Sequence, residues 1–224
     1  MKMKNLYITI LITLITFITL ITLIPYITHN TNNTKEYFTQ IKNKKTIILL
    51  GDSVFNNNTF VEKGKAVNEL LQKNADENTS IICLARNEST INNIYQQLSN
   101  VNIDLNDKLT TVFLSVGGND IMNMREKNVD DIFEKYNTLI KAITTKLPNV
   151  KLVLLNVYYP PNKANYNSRI DKWNTMIDLQ YKNNGKNIHI LNLANLLTDP
   201  SDFVFDIEPS STGGEKIANK LLSM

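Results

Sequence analysis

The chain has 224 residues, 42% of them hydrophobic, with 24 Lys and Arg against 21 Asp and Glu. That length suits one domain of ordinary size plus an extra segment, and the apolar content is ample for a core. A net charge of +3 carried by scattered lysines argues against a nucleic-acid binder, which needs a concentrated basic stripe. The single Cys83 excludes an intramolecular disulfide, and no Cys/His cluster has metal-ligand spacing.

The first 29 residues differ from the rest. Lys2 and Lys4 precede a stretch from Asn5 to Asn33 without Asp, Glu, Lys or Arg, and residues 6–24 read LYITILITLITFITLITLI. A helix of that length reaches about 28 Å, close to the hydrocarbon thickness of a bilayer. Threonine hydroxyls bond back to carbonyls one turn earlier, so they do not spoil such a helix. The residues after Pro25 lack an Ala-x-Ala-like cleavage site, which favours an uncleaved signal anchor over a signal peptide. The expectation is a single-pass membrane anchor over 1–29, with the lysine-bearing end cytoplasmic and the rest on the far side. A polar tether follows over 30–44.

From Lys45 onward, apolar runs alternate with helical patterns. The spacing predicts strands over 46–50, 79–84, 110–116, 150–157 and 187–193, several apolar on both faces, as a covered parallel sheet requires. Helices are predicted over 61–73, 91–98, 129–147, 169–181 and 214–222. The alternation implies an α/β fold over 45–224, a three-layer α/β/α sandwich on a five-stranded parallel sheet. Cys83, inside the second apolar run, reads as a small buried hydrophobe, and Trp173 as core.

Ligands of an open parallel sheet sit beyond the C-terminal ends of its strands. Gly51-Asp52-Ser53 follows the first strand, Ala85 to Thr90 the second, and Gly117-Gly118-Asn119-Asp120 the third. The segment from Phe205 to Ser210 comes beyond the fifth. Tyr158-Tyr159-Pro160-Pro161 follows the fourth, as a groove wall or a rigid turn. A serine at a strand-to-helix turn exposes its hydroxyl, and backbone N–H groups beside it suit an oxyanion.

These blocks, in this order, resemble the SGNH (GDSL) hydrolase superfamily: Gly51-Asp52-Ser53, Gly117-x-Asn119-Asp120, and the closing IEPSSTGGEKIA. The likeness runs from about Thr46 to the C-terminus. It implies a flavodoxin-like SGNH hydrolase fold and an ester hydrolase acting through acyl-Ser53 on a small-molecule, carbohydrate or lipid ester. No cofactor and no metal are implied. Ser53 would be the nucleophile, with oxyanion donors from Ser53, Ala85 and Asn119. Asp52 and Asp120 would hold the loops, while Gly117 and Gly118 let the backbone turn sharply and approach a ligand closely.

One departure matters. The family's catalytic His position is Glu208, its Asp position is Phe205, and the two histidines of the chain, His29 and His189, stand elsewhere. Ile-Glu-Pro-Ser together with a GDSxxxN start, supplied here by Asn57, is similar to one branch of the superfamily. Three readings stay open: Glu208 as general base, a tethered binding module that lost the chemistry, and Glu208 as a structural cap on the last helix. Asp202 or Asp206 would support Glu208 by sharing a proton with it.

Overall fold

The five apolar runs become five parallel strands, β1 Lys45–Gly51, β2 Thr79–Cys83, β3 Thr110–Ser115, β4 Lys151–Leu155 and β5 Ile188–Leu191. They lie in the order β2-β1-β3-β4-β5, in a computed structural model that describes residues 44–123, 128–183 and 187–224. The order reverses between β1 and β3, which opens a crevice at their C-terminal ends. Leu50 pairs with Leu114 and Gly51 with Ser115 there.

Each strand alternates its side chains between two helical layers. Ile48, Leu50, Val112, Leu114, Leu152 and Leu154 face one core, and Ile47, Leu49, Phe113, Val153 and Leu155 face the other. The first core is closed by α2 (Ile91–Ser99), α4 (Val129–Lys146) and α5 (Asn167–Tyr181). The second is closed by α1 (Val67–Asn74) and α7 (Ser211–Leu222). Each fully buried Leu or Ile contributes about 1.5–3 kcal/mol, so both faces hold the sheet firmly. Trp173, fully buried against Phe133 and Tyr136, is core as expected.

Several elements depart from expectation. The helix expected over 61–73 begins only at Val67, because Glu69 accepts the N–H groups of Gly64 and Ala66 and ends the preceding turn there. A short helix α3, Gly118–Met122, grows out of the third glycine-rich block. Gly117 before it adopts φ +111°, and a Cβ there would run into the Trp173 indole. The fourth strand stops at Leu155, so Asn156 and Val157 belong to the loop beyond it. A short helix α6 (Leu193–Leu196) and a small hairpin of β6 (Phe203–Val204) and β7 (Glu208–Pro209) lie between β5 and α7. Cys83 is only half-buried, on an edge strand.

The segment read as anchor and tether, residues 1–43, lies outside the described residues. Among the described residues, no helix is long and apolar enough to cross a membrane.

Candidate active site

Ser53 stands two residues past the end of β1, on a tight turn in which the Asp52 carbonyl accepts the N–H groups of Phe55 and Asn56. Gly51 is required beneath it, because a Cβ there would collide with the Ser115 carbonyl. The side-chain amide of Gln97, buried on α2, pairs with both backbone groups of Gly51: it accepts from the N–H at 2.8 Å and donates to the carbonyl at 2.8 Å. The same amide donates to Ser89 Oγ at 3.1 Å. Gln97 thus clamps the nucleophile turn to the loop after β2. Nothing in its local pattern marks it among the polar residues of that helix.

Ser53 is 8% exposed and lines a cleft of about 620 Å³, its open mouth included. Asp52, Gly118, Asn119 and Glu208 line it too. Burial raises the Glu208 pKa above the ordinary carboxylate value, the nearby Ser53 hydroxyl partly offsets this, and the charge of Glu88 adds to the rise. The turns after β1 and β3 and the segment bearing Glu208 thus meet at one cleft, whereas no residue of the block after β2 lines it.

Asn119 donates its side-chain amide to the Ser89 carbonyl at 3.1 Å. An amide carries two N–H groups, so this bond orients Asn119 and leaves a second donor. Ala85 is placed differently from expectation: it is not among the residues lining the cleft, and its carbonyl accepts the Asn56 amide at 3.1 Å. Asp120 accepts the N–H of Ile91 at 3.1 Å and so ties α3 to the start of α2, a loop-holding part as anticipated.

Asn57 is fully buried and joins two ends of the chain. Its amide donates to the Pro209 carbonyl at 3.0 Å, and its carbonyl accepts the Val67 N–H at 2.9 Å. It thereby holds the segment that carries Glu208 against the Ser53 turn. Asn57→Ala leaves both partners buried and unmet. We expect a loss of about 2–4 kcal/mol in urea unfolding, with a lower kcat as Glu208 loses its anchor.

The acids expected beside Glu208 are elsewhere. Asp202 is fully buried and paired with Lys216 at 2.7 Å. Asp206 is exposed, accepts from Asn162 at 2.8 Å and faces Lys163 at 3.7 Å. Two successive residues in left-handed backbone, Phe205 at φ +49° and Asp206 at φ +69°, turn the chain so that the Asp206 side chain points away. Sequence spacing alone does not reveal such a turn. Tyr158 steadies the same strap by donating its hydroxyl to the Ile207 carbonyl at 2.7 Å. Tyr158, Pro160 and Tyr166 line the cleft, so the segment after β4 is a groove wall.

The acid whose pKa Glu208 does raise is Asp52. Burial pushes it up to about 7, the Val54 N–H and the Ser115 hydroxyl hold it down in part, and the charge of Glu208 adds to the rise. A carboxyl that binds its proton more tightly in the folded state than in the unfolded one stabilises the fold only while protonated. Stability is then lost as pH climbs from about 4 to about 7 and is flat above. We expect urea midpoints to be higher at pH ~5 than at pH ~8, by a few kcal/mol in stability, and Asp52→Asn to flatten that slope.

His189 is an exposed residue of β5 opposite Val153 and does not line the cleft, and His29 lies outside the described residues. Among the described residues no group of His, Cys, Asp and Glu has the arrangement of a metal site.

No protein-family model matches the chain, and no curated protein matches it by sequence. Solved structures do. A lipolytic protein of the G-D-S-L family from Veillonella parvula superposes with a TM-score of 0.66 at 17% identity, covering 80% of this chain and 97% of the other. The psychrotrophic esterase EstA of a Pseudoalteromonas species, solved with monoethylphosphonate as inhibitor, gives 0.59 at 17% identity over 80% and 96%. A family 3 carbohydrate esterase of Clostridium thermocellum gives 0.60 at 25% identity over 80% and 94%. With its strand order, its Gly-Asp-Ser turn after β1 and its Gly-Gly-Asn-Asp turn after β3, the chain has the three-layer fold of the SGNH/GDSL hydrolase superfamily.

Proposed function

We propose that the protein is an ester hydrolase that works through an acyl-Ser53 intermediate, with Glu208 in the place of the usual histidine. One observation carries this reading: Ser53 shares its cleft with the carboxylate of Glu208, whose pKa burial raises. A carboxylate of ordinary pKa is a weak base toward a serine hydroxyl, and a raised pKa makes it a better one. Glu208 takes the hydroxyl proton as Ser53 Oγ attacks the ester carbonyl. The oxyanion is held by the Ser53 N–H and the second amide N–H of Asn119. Glu208 then returns the proton to the leaving alcohol. In the second half it deprotonates the water that attacks the acyl-enzyme, and the proton goes back to Ser53 as the acid leaves.

The apolar wall of Leu155, Val157 and Ile170 suits a short acyl chain. The esterases of like fold, one of them a carbohydrate esterase, support an ester substrate. We place the catalytic domain at 45–224, tethered through 30–44 to a membrane by the apolar segment over 1–29, on the far side from the cytoplasm.

The test is turnover of short-chain p-nitrophenyl esters by the full chain in neutral detergent, beside labelling with an organophosphonate. Hydrolysis with stoichiometric labelling at Ser53 is expected. Neither turnover nor labelling at any pH would replace this reading by the tethered binding module, which the lack of a histidine beside Ser53 among the described residues favours.

A further inference from the structure

Charge around Ser53 is one-sided. Asp52 and Glu208 line the cleft, and among the described residues no Lys, Arg or His joins them there. Glu88 adds a third carboxylate nearby. It is exposed and holds left-handed backbone at φ +59° in the loop after β2. Its neighbour Ser89 takes the Asn119 amide on its carbonyl, so the loop bearing Glu88 is bonded to the cleft wall. The charge of Glu88 reaches Glu208, as the raised pKa of that carboxyl records. Lys163 and Lys216 are paired with Asp206 and Asp202. Glu208 Oε2 is buried with no hydrogen-bond partner among the described residues, an acceptor ready for a donor.

An anion approaching this site meets like charges across a partly desolvated cleft, where repulsion is weakly screened. A cation is attracted by the same carboxylates. The acyl chain has the apolar wall to occupy, which leaves the leaving alcohol toward the opening of the cleft.

We propose that the cleft selects esters whose alcohol part is neutral or positively charged and rejects those whose alcohol part is anionic, with the charge of Glu88 adding to the preference set by Asp52 and Glu208. The proposal rests on the ester-hydrolase reading above. It is tested by measuring kcat/KM of the full chain, in neutral detergent at mildly alkaline pH, on three acetate esters of similar size. The alcohols are choline, the neutral isostere 3,3-dimethylbutanol, and a hydroxycarboxylate. The choline ester should be favoured over the neutral one, and the anionic ester should be at least about tenfold slower than the neutral one. Glu88→Gln should narrow the cation-to-anion ratio at least about threefold, and Glu88→Lys should narrow it further. Added salt should narrow the ratio in the wild-type chain. Equal turnover of the three esters, or a ratio unmoved by both Glu88 variants, overturns the charge preference and leaves the hydrolase reading standing. No turnover of any ester, with Ser53 inert to phosphonate, overturns both.

Discussion

Ser53→Ala should abolish ester turnover, lowering kcat/KM by at least about a thousandfold while leaving the urea midpoint nearly unchanged. The size of the effect follows from the part assigned to Ser53: without Oγ there is no acyl-enzyme, and what remains is whatever the oxyanion donors and binding achieve alone. The small effect on stability follows from its place. Ser53 lies at a cleft and not in either apolar core, and the turn beneath it is held by Asp52, Gly51 and Gln97. Burst kinetics with p-nitrophenyl butyrate and intact mass after phosphonate treatment read the prediction directly. A variant that keeps more than a few per cent of wild-type turnover would mean that the nucleophile is another group.

Glu208→Gln should lower kcat by about a hundred- to ten-thousandfold, the range of a lost general base. Glutamine keeps the shape of the side chain but cannot take a proton from Ser53. The pH profile separates this from mere disturbance of the loop. The base works only when ionised, so the wild-type rate must fall as pH falls through the Glu208 pKa. That pKa lies above its usual value of 4.5, so the acid limb must lie above it too. Glu88→Gln removes one of the causes of the rise and should move the limb toward lower pH. In Glu208→Gln the residual rate should lose this limb altogether. A limb that persists in that variant would assign the base to Asp52, the other buried acid of the cleft.

Much of this fold was legible from local pattern. The strands around Ile47, Val112 and Val153 are apolar on both faces, and only a sheet covered by helices on both sides satisfies that pattern. The helix from Val129 announces itself by Ile132, Phe133, Tyr136, Leu139, Ile140 and Ile143 on one stripe. Ser53 and Asn119 follow strands whose shared direction puts their ends at one sheet edge, and Glu208 is marked by the resemblance, at the position of the family's histidine.

What the pattern does not contain is pairing across the chain. Asn57 and Pro209 meet over 152 residues, and Gln97 grips Gly51 over 46. Neither residue type at its position has a periodic or compositional signal. Asp206 was a natural candidate from spacing, two residues before Glu208, until left-handed backbone at Phe205 and Asp206 turned it outward. Asp52 was read as a loop-holding residue, and its titration near 7 exists only because packing removes water from it. By itself the sequence determined the layers, the strand ends and the chemistry gathered at one edge, because periodicity and turn residues act over a few residues. Tertiary structure decided which acids face Ser53, how tightly they hold protons and what anchors them. Those properties depend on burial and on contacts that form only when distant segments pack.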